Sequence, residues 1–391
     1  MQDLKLNYDD ITIVPEAVTD ICSRSQCIPY DEDGYLPIFA SCMSSVVSIE
    51  NTGDFNAAKI RTVIPRSYSV EERLKYLFKN EGNFVAFSLN EARDIFINRA
   101  EELEIELEIT KRYVHKYVEG IATDMSIRVC IDLANGHMKC LLELVKELKE
   151  KYGSSMLIMT GNIANPETYK YYEEAGVDYC RVSIGTGNVC STSSNTAIHF
   201  PVFSLLKEIY EVKKSIDGKC KIIADGGIHG FRDVQKALIY ADYVMIGSLF
   251  NKAIESAGKT TYGTFYWNVR GKKIARPLKT LFYFGREVPK EKYGEVMSLI
   301  KQGKLTVWKE LYGMSTKIAQ SLINQANSVE TKKLKTAEGL LKYQKVEYDI
   351  KGWAENETDY LRSAMSYTNS HNLNEYKESQ WVQISKIVYN N

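Results

Sequence analysis

A single thiol stands in a loop suited to close approach: Gly185-Thr186-Gly187-Asn188-Val189-Cys190-Ser191-Thr192. The thiolate is the reactive form of cysteine, and a cationic or dipolar setting lowers the pKa that controls it. Ser191 and Thr192 place hydroxyls beside it, and no histidine follows before His199. Gly185 and Gly187 leave their carbonyls open enough to bind a monovalent cation. Two further glycine turns follow, Asp225-Gly226-Gly227 and Gly247-Ser248. Backbone N–H groups in such turns can wrap a phosphate, because no Cβ blocks the approach. Asp225 stands where a carboxylate could accept hydrogen bonds from ribose hydroxyls, so the ligand implied is a nucleotide or a sugar phosphate. His137 and His229 also follow strand-like runs. Either could serve as a base, although a structural hydrogen bond is the simpler role. Gly185-x-Gly187 lacks the third glycine and the helix of a dinucleotide fingerprint. A nicotinamide cofactor, if used, therefore binds outside a Rossmann domain.

The elements that must position these residues alternate along the first two-thirds of the chain. Candidate strands are Leu36–Ala40, Thr62–Pro65, Asn83–Ser88, Arg128–Leu133, Met156–Thr160, Tyr179–Ser183, Lys221–Ala224 and Tyr243–Gly247. They are short and apolar, as parallel strands covered on both faces are. Between them lie helix signals. Asn165 can cap a helix that Gly176 stops, and apolar stripes run through Leu141, Leu142, Val145 and Leu148, and through Val202, Leu205, Leu206, Ile209 and Val212. Eight such units predict a (β/α)₈ barrel with its active site in the loops at the C-terminal strand ends. An open doubly wound sheet is the rival. Polar and glycine residues follow the strands in turn: Asp132-Leu133-Ala134-Asn135-Gly136, Gly161-Asn162, the cysteine loop, and the two later glycine turns.

Length and composition bound the rest. At about 150 residues per domain, 391 residues would make two or three domains, but one barrel with insertions also fits. The expected organisation is one barrel domain over 1–391. It carries an insertion at about 259–310, a mobile flap-like segment at about 328–352 and a surface tail at 374–391. The insertion has an amphipathic stretch near Glu291–Ile300 and reads as a lid or an oligomer contact. Lysine and arginine together balance aspartate and glutamate at 50 each, which argues against broad nucleic-acid binding. The polar start MQDLKLNYDD shows no signal peptide, and no apolar run is long enough to span a bilayer. The eight scattered cysteines show no zinc-site spacing. A cytoplasmic protein with reduced thiols is expected.

The chain resembles the IMP dehydrogenase/GMP reductase family. The resemblance rests on Leu6-Asn7-Tyr8-Asp9-Asp10-Ile11, the loop Gly185 to Thr192, Ala224-Asp225-Gly226-Gly227-Ile228 and Met245-Ile246-Gly247-Ser248, in this order. It implies that Cys190 attacks C2 of a purine nucleotide and forms a covalent intermediate. It implies that Asp225 holds the ribose. The phosphate and base would be held by Ser41, Gly226, Gly227, Gly247, Ser248 and the turn Tyr312-Gly313-Met314-Ser315. It also implies that the carbonyls of Gly185, Gly187 and Cys190 ligate potassium, and that the assembly is a homotetramer.

Within the family the chain is more similar to the reductase, which expels ammonia from GMP and takes hydride from NADPH. Asp132, Ala134, Asn135 and Gly136 then fall at the cofactor site, and Thr192 with Glu338 at the departing amine. The dehydrogenase, which oxidises IMP with NAD, is the alternative, as is a purine-nucleotide-binding protein without activity. The chain departs from the family pattern at Cys42-Met43-Ser44, at Pro65-Arg66 and at Asn188, which stands where a phosphate-binding serine is usual. These departures leave a modified purine nucleotide open as substrate.

Overall fold

In the computed structural model, residues 4–79, 82–118, 126–269, 272–278, 288–327, 336 and 339–384 are described. Each of the eight runs read as strands forms one: β2 (Ile38–Ala40), β3 (Arg61–Ile64), β4 (Phe84–Phe87), β5 (Ile127–Asp132), β6 (Met156–Ile163), β7 (Tyr179–Val182), β8 (Lys221–Asp225) and β9 (Tyr243–Ile246). A short strand, β1 (Ile11–Ile13), precedes them. Strands β2 to β9 are parallel neighbours, and β9 returns to β2, so the barrel is closed. The open-sheet alternative is thereby excluded.

Side chains alternate along a strand, so every second residue points into the barrel. The interior cluster contains Phe39, Phe84, Cys130, Met159, Ile223, Tyr243 and Met245, with Phe39 and Tyr243 ring centres 5.1 Å apart. The intervening residues pack outward against the helices. The helix Lys139–Tyr152 buries Leu141, Leu144, Val145 and Leu148, and the helix Val202–Ser215 buries Val202, Phe203, Leu205, Leu206 and Ile209. Asn165 accepts the Glu167 N–H at the head of the helix Thr168–Ala175, and Gly176 ends it with a left-handed φ of 84°.

The stretch after β9 is built rather than loose. Strands β10 (Thr260–Val269), β11 (Lys272–Leu278), β12 (Leu305–Tyr312) and β13 (Leu341–Lys345) form an antiparallel sheet in the order β11-β10-β12-β13. The amphipathic stretch predicted near 291–300 is the helix Tyr293–Lys301, whose Val296 and Met297 are buried with Val288, Leu305, Val307 and Val346 in a separate small core. The eighth barrel helix, Ile350–Tyr367, comes only after this sheet. It buries Trp353 against Phe231 and Phe250, with ring centres at 5.3 and 4.8 Å. Each such fully buried large side chain contributes roughly 1.5–3 kcal/mol.

Of the segment expected to be a surface tail, residues 374–384 are docked instead, and 385–391 lie outside the described residues. Tyr376 is fully buried, Lys377 pairs with Asp242, and Trp381 meets Phe203 edge-on. Strand β14 (Trp381–Gln383) pairs antiparallel with β1. Aromatic anchors and a buried aspartate, which composition does not reveal, hold it. No helix among the described residues is long and apolar enough to cross a membrane.

Glu255 accepts the Ile350 N–H at the head of the eighth helix. Burial, with the Asp349 and Asp54 charges nearby, pushes its carboxyl from the ordinary 4.5 up to about 7, although the backbone bonds oppose this. The folded state therefore binds this proton more tightly than the unfolded chain. The stability it contributes is fully present below pH 4.5 and is lost as pH rises through about 7. Glu255→Gln is expected to flatten that decline, so its melting temperature changes less than that of the parent protein across this range in a pH series of thermal melts.

Candidate active site

The alternation that fills the barrel also places three charges at its C-terminal end. Asp132 ends β5, Arg181 lies on β7 and Asp225 ends β8, all on the inward face. Arg181 is only 6% exposed. Its Nη1 donates to Asp132 Oδ1 at 2.9 Å, and its Nε and Nη2 both lie 2.9 Å from Asp225 Oδ2. Asn162 Nδ2 donates to the same Asp225 oxygen at 2.7 Å and to the Ser183 carbonyl at 3.0 Å. Burial alone would raise the Asp132 pKa, but the Arg181 and Arg66 charges outweigh it and hold it below the usual range. Burial likewise opposes the Arg181 charge, and the Asp225 and Asp132 carboxylates raise its pKa well above normal. Cys42 donates to Asp132 at 3.5 Å. Its hydrogen bond with Cys130, its burial and the Asp132 charge push its thiol well up, so it stays protonated.

The cysteine loop begins where β7 ends. Cys190 Sγ donates to Thr192 Oγ1 at 3.3 Å, and Cys190 is partly exposed. The loop leans on the next glycine turn: Ser183 Oγ donates to the Asp225 carbonyl at 2.9 Å. A Cβ on Gly226, whose φ is 95°, would lie 2.7 Å from Thr186 Oγ1, so only glycine lets the two turns meet. Gly227 follows in the same turn. Gly247 sits beside Ser41 and Met43, and a Cβ on it would lie 2.7 Å from Met43 Sδ. Ser41 N–H donates to the Ile246 carbonyl at 2.9 Å, and Ser248 opens the short helix after Gly247.

The antiparallel sheet supplies the opposite wall. Ser45 Oγ donates to the Tyr312 carbonyl at 2.9 Å and accepts the Tyr312 N–H at 3.2 Å. This brings the turn Tyr312-Gly313-Met314-Ser315 to the first barrel loop. Gly313 abuts Val189, and Gly339 lies against Ser315 and Thr316. Gly339 forms an antiparallel bridge with Cys190, and the Leu340 N–H donates to the Val189 carbonyl at 2.9 Å. Glu338 lies outside the described residues; its chain neighbour Gly339 is the residue paired with Cys190.

The residues expected at a cofactor site divide in two. Ala134 and Asn135 are exposed on the rim, where a dinucleotide can reach them. Asp132 is held inward by Arg181. Gly136 donates to the Asn162 carbonyl and accepts from Tyr172 Oη at 2.9 Å, so it serves to seat the loop. His137 is structural: Nε2 accepts the Ala164 N–H at 3.1 Å, which leaves Nδ1–H to face Thr168 Oγ1 at 2.9 Å.

Of the carbonyls expected to ligate potassium, those of Gly185 and Gly187 each already accept one hydrogen bond. Gly185 accepts the Ser193 hydroxyl at 3.0 Å and Gly187 accepts the Cys190 N–H at 2.9 Å. The Lys342 ammonium already occupies the same loop, on Asn188. Among the described residues, no group of histidine, cysteine and carboxylate side chains could hold a metal ion. All eight cysteines are free thiols.

Sequence reasoning passed over Arg181 and Lys342, and gave Asn162 a place after its strand but no role. The available signal for Arg181 was a charge inside an otherwise apolar strand, two residues after Tyr179. For Lys342 there was no local signal, because its contact spans the chain from 342 to 188.

Fold and site together define a closed parallel barrel with a thiol, a hydroxyl and glycine turns gathered at the strand ends. Residues 110–280 match the IMP dehydrogenase / GMP reductase domain. The chain is 31% identical over 242 residues to a GMP reductase of Streptococcus pyogenes serotype M5 (strain Manfredo), covering 56% of this chain and 73% of that protein. It is 32% identical over 233 residues to a GMP reductase of Streptococcus suis (strain 05ZYH33), covering 54% and 70%. A GMP reductase of Streptococcus agalactiae serotype V is 28% identical over 295 residues, covering 70% and 83%. The chain belongs to the IMP dehydrogenase/GMP reductase family.

Arg181→Met would remove the cation that bridges the Asp132 and Asp225 carboxylates, leaving only the Arg66 charge near Asp132. It is expected to destabilise the protein by about 3–5 kcal/mol, the cost of breaking a buried pair from one side. Urea unfolding measures this, and Arg181→Lys should lose less.

Proposed function

We propose that the protein is a purine nucleotide oxidoreductase of the GMP reductase kind, converting GMP to IMP and ammonia with NADPH. The observation that carries this reading is the meeting of Cys190 and Thr192 with Gly339, next in sequence to Glu338, on a loop packed against the glycine turns. Its similarity to proteins named GMP reductase agrees with it.

In this reading the Cys190 thiolate adds to C2 of the purine, forming a carbon–sulfur bond. Thr192 and Glu338 deliver a proton to the 2-amino group, the carbon–nitrogen bond breaks, and ammonia leaves. NADPH, when bound along the rim at Ala134 and Asn135, supplies the hydride that C2 receives. The carbon–sulfur bond then breaks and returns the thiolate, giving IMP and NADP⁺. Asp225, held in place by Arg181 and Asn162, accepts from the ribose hydroxyls. Gly226, Gly227, Gly247 and Ser248, with Tyr312 to Ser315, surround the phosphate and base. Preorganised donors of this kind need no rearrangement as charge develops.

The test supplies GMP with NADPH and, separately, IMP with NAD, follows the absorbance of the reduced cofactor and identifies the product by mass spectrometry. Loss of NADPH absorbance with IMP formed is the expected result. XMP formation from IMP would instead assign the dehydrogenase activity. Cys190→Ala is expected to lower turnover by about a thousandfold or more, as removal of a nucleophile does, while calorimetry still detects nucleotide binding. Full turnover in that variant would refute the covalent mechanism.

A further inference from the structure

Lys342 lies on β13, the edge strand of the antiparallel sheet. Exposure alternates along that strand: Leu341, Tyr343 and Lys345 face solvent, and Lys342 and Gln344 are half-buried. The Lys342 Nζ donates to the Asn188 carbonyl at 2.6 Å and to the Asn188 side-chain oxygen at 2.9 Å. Among the described residues it forms no ion pair with a carboxylate. Its charge is therefore met by two neutral oxygens of the cysteine loop, two residues before Cys190. The neighbouring oxygens in the loop already have their own donors, Ser193 on Gly185 and the Cys190 N–H on Gly187.

We propose that the Lys342 ammonium is the resident monovalent cation of the cysteine loop, so that no free ion is needed to order it. An ammonium carries a single positive charge and has donors but no acceptor, so carbonyl oxygens such as these suit it. It differs from a free ion in being tethered to β13, and Leu340, the residue just before that strand, makes the bond to Val189. Holding Asn188 from β13 fixes the chain leading into Val189 and Cys190. Lys342 is thus a positioning residue acting through Asn188. The inference rests on the functional reading above only for the role given to Cys190.

The experiment compares the full-length protein with Lys342→Met in choline chloride and in potassium chloride at equal ionic strength. Two readouts are taken: the rate of Cys190 alkylation by iodoacetamide, followed by mass spectrometry of the peptide, and turnover of GMP with NADPH. The parent protein is expected to give the same values in both salts. In choline chloride, Lys342→Met is expected to lose about tenfold or more in turnover, the usual scale for removing a group that orients another, and to change its alkylation rate. Potassium should move both back toward the parent values. A charge-preserving Lys342→Arg should remain indifferent to the salt, and it covers the case in which Lys342→Met fails to fold. A parent protein whose thiol reactivity or turnover depends on potassium would overturn the proposal. So would a folded Lys342→Met that matches the parent in choline chloride. The alkylation readout needs no substrate, so absence of GMP turnover would count against the functional reading alone.

Discussion

One buried guanidinium organises the catalytic end of the barrel. From β7, Arg181 bridges Asp225 on the adjacent β8 and Asp132 on β5, two strands away on the other side. Taking three charges out of water is costly, and their mutual attraction repays it only when the geometry is good and the remaining lone pairs are filled. Here Asn162 fills one on Asp225 and Cys42 one on Asp132. The arrangement tolerates little slippage, because a one-residue shift would turn each inward charge toward the apolar helices. The requirement for pairing therefore also fixes the register in which the loops leave the strands.

From that fixed base the site is assembled by two bodies of different construction. The barrel contributes the cysteine loop and the glycine turns. The antiparallel sheet contributes the turn at Tyr312, the bridge at Gly339 and the Lys342 ammonium. Two seams are main-chain contacts, Val189 with Leu340 and Cys190 with Gly339, and a third joins the Ser45 hydroxyl to the Tyr312 main chain. Main-chain seams depend on strand geometry more than on side-chain identity.

The barrel was legible because its signals are local. Each strand is a short apolar run bounded by turns, and each helix carries its own stripe and stop. Gly176 and Asn165 behave as their residue types dictate. The gathering of Cys190, Asp225 and Gly247 at one end followed from counting strands. Arg181 was hidden because an apolar run with one charge looks like a run with a flaw until closure shows which face is inside. The sequence divides the sheet β10 to β13 between an insertion at about 259–310 and a flap-like segment at about 328–352, because its small core draws on residues from Ile254 to Val346 that no local window joins. The docked C-terminal segment was missed for the same reason, since Asp242 and Phe203 lie far away in sequence.

The late arrival of the eighth helix has a consequence for how the chain emerges from the ribosome. All eight barrel strands are complete by Ile246, whereas β12, β13 and the helix Ile350–Tyr367 come later. Segments of a chain fold as they are made, N-terminal parts first. The nascent barrel can thus find its register around Arg181 while the wall that faces Cys190 does not yet exist. During that interval the thiol stands open, and the open face of the barrel awaits Trp353. Synthesis order separates the making of the scaffold from the closing of the site, and the interval is set by the length of the inserted sheet.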